Sequence, residues 1–141
     1  MANYLIPAIG DDIPETRRGI QIALQKAAQQ GCELVFLVPS INNAKESNML
    51  EQILGANVLA TLAKKRQAVN LSGVNVRLEA LSTFKGATLN TFNGVILGLW
   101  TTKHDAITIA GSALTAKDII LIQWIKDELM AWAQNNNATI I

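Results

Sequence analysis

"CELVFLV", residues 32–38, decides how this chain folds. After Glu33 it is apolar without interruption, and Pro39-Ser40 closes it. A strand exposed on one face would alternate polar and apolar residues. A continuous run instead suits a strand covered on both faces, which places it centrally in a parallel sheet.

Upstream, the run is preceded by a helix. Asp12 can serve as N-cap, Pro14 lies in the first turn and Glu15 completes an Asp-x-x-Glu capping box. Ile20, Leu24 and Ala27 repeat at helical spacing, Ala23 and Ala28 widen the stripe, and Gly31 supplies a left-handed end. Before that helix, "YLIPAI" (4–9) reads as a first strand, with Pro7 marking a bulge because proline donates no ladder hydrogen bond.

Downstream, "INNAKES" (41–47) reads as a loop. Asn48 would then cap a second helix, with Glu51 at the capping-box position. Leu50, Ile53, Leu54, Val58 and Leu62 form its buried stripe, and Gly55 predicts a break within it. "AKKRQ" (63–67) places positive charge at the helix C-terminus, where the dipole favours it.

"VNVRLEAL" (74–81) alternates, as expected of a half-exposed strand at a sheet edge. "GATLNTF" (86–92) allows a short helical crossover before a fourth strand, "VILGLW" (95–100), and the thirteen residues 82–94 would equally fit a long antiparallel hairpin. A short helix follows over about residues 104–110, then a fifth strand, "DIILIQW" (118–124). "IKDELMAWAQ" (125–134) places Ile125, Leu129 and Trp132 on one face of a last helix, and "NNNATII" (135–141) is read as a tail. Strands alternating with helices predict one α/β domain over residues 1–141. The expected architecture is three-layer α/β/α around a mostly parallel five-stranded sheet, in flavodoxin-like or Rossmann-like order 3-2-1-4-5.

Composition narrows the function classes. Half of the 141 residues are apolar, 16% are charged and the net charge is +1. Such a chain folds around a large core and carries no field that would recruit nucleic acid. Its uninterrupted apolar stretches are far shorter than the roughly 20 residues that span a bilayer. Cys32 is the only cysteine, so neither an internal disulfide nor a paired-cysteine zinc site can form. "MANYLIP" has no basic region followed by an apolar stretch, and the expected compartment is the cytoplasm.

Ligands of open parallel sheets bind beyond the carboxyl ends of the strands, where the order reverses. The expected order puts that crevice between strands one and four. "GDDIPETRR" would contribute Gly10, Asp11, Asp12 and Arg17, and "TTKHD" would contribute Thr101, Thr102, Lys103 and His104. Trp100 and Trp124 close strands four and five, so they share this rim and could stack on a flat ligand.

Each feature also has a plainer structural account. Asp12 caps a helix, Asp11 is solvated, the arginines line an outer face, and Thr102 caps the next helix beside an exposed His104. No G-x-G-x-x-G, P-loop or nucleophile-elbow motif is present. In element order the chain resembles small doubly wound nucleotide- or partner-binding domains, with no residue motif to carry across.

Two functions follow as expectations. One is a binding or regulatory module taking a small polar, nucleotide-like ligand or a protein partner at the rim. The other is a metal-assisted hydrolase or transferase using Asp11 and Asp12 with His104 or Lys103. The last helix offers a surface for a homodimer.

Overall fold

In the computed structural model, which describes residues 1–84 and 86–141, "LVFLV" forms strand β2 (Leu34–Val38), and all five residues are buried. Parallel neighbours flank it on both sides: β4 (Val74–Ala80) and β5 (Val95–Thr101). Beyond β5 come β6 (Asp118–Gln123), β1 (Ala2–Ile6) and the two-residue β7 (Thr139–Ile140), all parallel. At the opposite edge β3 (Val69–Leu71) pairs antiparallel with β4. Among the described residues the sheet therefore has seven strands, in the order β3-β4-β2-β5-β6-β1-β7.

This corrects the expected five strands and the order 3-2-1-4-5. The five anticipated strands lie as 3-2-4-5-1, because the first strand joins β6 near an edge rather than lying beside β2. Its burial agrees with that place: Ala2, Asn3 and Tyr4 are only half-buried. The third strand is not an edge either, since the β3 hairpin covers it. The tail also becomes a strand, with Tyr4 and Leu5 in register with Thr139 and Ile140.

The helices are α1 (Ile13–Gln30), α2 (Ile41–Lys45), α3 (Asn48–Leu54), α4 (Ala56–Ala63), α5 (Ala87–Thr91), α6 (Lys103–Ser112) and α7 (Met130–Asn135). Asp12 caps α1 as expected, accepting from the Glu15 N–H at 3.0 Å. The stretch read as a loop at 41–47 instead forms α2, capped by Ser40. Ser47, not Asn48, caps α3, and the chain breaks at Gly55 before α4. The last helix begins only at Met130. A bend at Ile125 and turns over 126–129 precede it, so Ile125 leaves the apolar face and is 51% exposed. Pro7 lies just beyond β1 and never enters the ladder.

Two apolar cores flank the sheet. One gathers Ile6, Leu34, Phe36, Val38, Leu97 and Ile120 with Ile20 and Ala23 of α1, Leu50 of α3 and Leu62 of α4. The other gathers Leu5, Val35, Leu37, Ile96 and Leu121 with Leu89 of α5, Ile109 of α6 and Trp132 of α7. Alternate residues of each strand feed opposite cores, which is why the central runs are apolar throughout. Burying each such large side chain contributes about 1.5–3 kcal/mol.

The division of helices follows the winding. The connections from β1 to β2 and from β2 to β4 run toward the β3 edge, and their helices α1–α4 share one core. Those from β4 to β5, β5 to β6 and β6 to β7 run toward the β7 edge, and α5–α7 share the other. Crossovers of a single hand require this: reversing direction along the sheet sends the helix to the opposite face.

Candidate functional site

Two junctions at the carboxyl rim behave differently. The chain leaving β2 turns toward the β3 edge and that leaving β5 toward the β7 edge, so neighbouring connections diverge and open a crevice. The chains leaving β6 and β1 instead cross over one another. Gln123, 2% exposed, fastens them: its Nε2 donates to Ala8 O at 3.3 Å and its Oε1 accepts from the Leu129 N–H at 3.0 Å. Gly10, whose φ of 63° suits a residue without Cβ, donates its N–H to Trp124 O at 2.7 Å. Gly19 of α1 presses on the same seam, where a Cβ would stand 2.7 Å from Ile122 and 2.9 Å from Ile6.

Above the diverging pair lies a cleft of about 560 Å³. Pro39, Asn43, Glu46, Ser47 and Asn48 come from the segment after β2, Trp100 and Thr102 from the end of β5, Trp124 from the end of β6, and Asp11 from beyond β1. The Ser47 hydroxyl accepts from the Leu50 N–H at 3.1 Å, and that of Thr102 from the Asp105 N–H at 3.1 Å. Both polar groups are thereby oriented by the helices they start.

Trp100 has an unusual backbone. The β5–β6 register shifts between Gly98 and Thr101, and within this bulge Trp100 adopts a φ of 51°. Bulges re-aim side chains, and a left-handed conformation at a bulky residue costs about 1–3 kcal/mol. The redirected indole donates from Nε1 to Asp11 Oδ1 at 3.0 Å, bridging the ends of β5 and β1 across β6. The second wall, Trp124, is 45% exposed despite its size.

The crevice expected between strands one and four thus opens between strands two and four, because β6 separates β1 from β5. Of the anticipated residues, Asp11, Trp100, Thr102 and Trp124 come together in it. Gly10 and Asp12 stand behind them as turn and helix cap. Arg17 is exposed on α1. Thr101, 3% exposed, pairs with Gln123 in the ladder and faces the small hollow beside Ile109. Lys103 lines a separate groove between α6 and α7, and His104 is exposed.

The two aspartates do not converge on a common point: Asp12 is committed to Glu15 and Asp11 to Trp100. Among the described residues no group of three or more His, Cys, Asp or Glu side chains is placed to hold a metal ion. Cys32 is half-buried against the first core, and burial pushes its thiol pKa up. None of the described helices is long and apolar enough to cross a membrane.

Sequence reasoning missed the contribution of residues 39–48. Its signal was positional: this segment follows the most buried strand, from which the winding turns away. No protein family, curated protein or solved structure significantly matches the chain.

Proposed function

We propose that this chain is a small cytoplasmic binding or regulatory module of the three-layer α/β/α kind, taking a small polar ligand at the carboxyl rim of its sheet. The cleft between the ends of β2 and β5 carries the reading. Its volume of about 560 Å³ suits a small molecule, and its wall combines two indoles with amide, hydroxyl and carboxylate groups. It lies where the winding reverses, as in Rossmann-like and flavodoxin-like domains, although the strand order differs from theirs. The strained backbone at Trp100 supports a role for its indole beyond packing. The metal-assisted alternative has less support, since Lys103 lines another groove and Asp12 is spent on a cap.

Screening small polar metabolites, nucleosides and nucleotides by thermal shift and tryptophan emission tests this reading. At least one compound should raise Tm and alter emission in the wild type while losing affinity about tenfold or more in Trp124→Ala, since stacking on an aromatic ring is worth roughly 1–3 kcal/mol. Ligands that act equally on the variant would remove the cleft from consideration.

A protein partner at the same rim is a second reading, favoured by a specific observation. Ile9, Trp124 and Ile125 are 58%, 45% and 51% exposed, and the Gly10–Trp124 hydrogen bond brings them together beside the cleft. A homodimer through the last helix has less support, because Trp132 and Ala133 of α7 already pack on their own sheet.

A further inference from the structure

The cleft carries charge of one sign. Asp11 and Glu46 line it, and among the described residues no lysine or arginine does. Of the nearest cations along the chain, Lys45 lines the adjoining groove between α2 and α4, which Glu46 and Ser47 also border, and Lys103 lines the groove between α6 and α7. Helix N-termini could substitute for cations in holding a phosphate, but only through unoccupied N–H groups.

At the helix starts around this rim the chain's own oxygens take part of that set. Asp12 takes the Glu15 N–H of α1, Pro14 has none, and Thr16 already bonds to Asp12 O. Ser40 takes the Asn43 N–H, Ser47 the Leu50 N–H and Thr102 the Asp105 N–H. Glu128 reaches across from the loop after β6 to accept from the Lys103 N–H at 3.1 Å, setting a further carboxylate at the start of α6. A phosphate entering this rim would meet the like charge of Asp11 and Glu46 with no lysine or arginine of the lining to offset it.

The remaining groups ask for the opposite kind of ligand. The Asp11 carboxylate, one oxygen of which already accepts from Trp100, and that of Glu46 accept hydrogen bonds, the Asn43 and Asn48 amides both accept and donate, and Trp100 and Trp124 contribute indoles. Indoles attract cations as well as flat rings. Resting on the rim-binding reading above, we infer that the ligand is an unphosphorylated planar base, neutral or cationic, with N–H donors directed at Asp11 and Glu46. The cleft then discriminates against the phosphorylated forms of the same base.

Titrating adenosine, guanosine and their 5′-monophosphates against the full chain, by calorimetry and tryptophan emission, tests this. At low salt the nucleosides should bind about tenfold tighter than the monophosphates, a gap that salt narrows by screening. In the double variant Asp11→Asn/Glu46→Gln the gap should fall to about threefold or less, because the repelling charges are gone. The amide oxygen that replaces the Asp11 carboxylate can still accept from the Trp100 indole, which preserves the rim.

Monophosphates that bind as tightly as nucleosides would overturn this inference while leaving rim binding intact, provided Trp124→Ala still weakens it about tenfold or more. Failure of both nucleosides and monophosphates, with other compounds still acting through Trp124, removes the base as ligand class alone. Nucleosides binding equally well to Trp124→Ala would remove both the ligand class and the site.

Discussion

The β1/β6 and β2/β5 junctions lie on the same rim of the same sheet, yet one is sewn shut and the other stands open. At the first, the departing chains cross, and a buried glutamine, a glycine turn and the packed face of α1 close the seam. At the second, the chains part, and the rim is left to side chains from four separate segments. Composition does not separate the two, since apolar strands lead into both. The direction of the connections does, and direction depends on strand order.

The largest expected effect is therefore at the closed seam. Gln123→Leu keeps the volume but strands the Leu129 N–H and the Ala8 carbonyl in a buried place. Leaving each such group unpaired costs about 1–3 kcal/mol, so a loss of about 2–4 kcal/mol is expected in denaturant unfolding. Affinity for the ligand proposed at the open cleft should change far less than stability. A loss under about 1 kcal/mol would mean that the seam is held by packing alone.

The open side should respond in the reverse manner. Trp100→Gly removes a half-buried indole, which destabilises, but also relieves a left-handed backbone worth about 1–3 kcal/mol. The two terms oppose each other, and net stability should shift by no more than about 1 kcal/mol, against the roughly 3–5 kcal/mol typical of truncating a core tryptophan. Trp100→Ala, which loses the ring but keeps the strain, should be the less stable of the pair. If alanine and glycine unfold alike, the bulge is not strained and the case for a purposeful indole weakens.

These contrasts also show which parts of the molecule were legible in sequence. The unbroken run at Leu34–Val38 gave a buried parallel strand, and the Asp12–Glu15 spacing gave a helix start, because both depend on neighbours in the chain. Strand order was less legible, since an 18-residue α1 can carry the chain past two strands as readily as past none. One clue was available: Asn3 sits inside the first strand, whereas the polar residues of those at 95–101 and 118–123 fall at their ends, as suits a first strand near the edge. Asp11, Trp100, Thr102 and Trp124 reached one cleft despite the misplaced strand because the carboxyl ends of parallel strands share a rim whatever their order. Asn43, Glu46 and Asn48 were missed for the converse reason: only the β2/β5 adjacency gives them a part in the site.

The smallest effect concerns whether surface charge helps hold the closed seam, since α1 starts there. Arg18 grips Glu15 with both ends of its guanidinium, Nε to Oε1 at 3.0 Å and Nη2 to Oε2 at 2.7 Å. That contact holds the Glu15 carboxyl below its ordinary value of 4.5. A carboxyl pKa depressed by folding contributes stability that is complete above the unfolded value and lost as pH falls through the folded one. The window therefore opens near pH 4.5 and extends downward. Both side chains are about a third exposed, at 35% and 36%, so water screens the pair and only a few tenths of a kcal/mol are expected. Comparing Glu15→Gln with the wild type at about pH 6 and pH 3 isolates the contribution, because the variant lacks the titrating group. The wild-type advantage should shrink by those few tenths on acidification while Gln123→Leu remains costly at both pH values. An advantage that grows at low pH would reverse the sign of the Glu15 shift, and one exceeding the glutamine's would move the fastening of the seam from its buried amide to its surface charge.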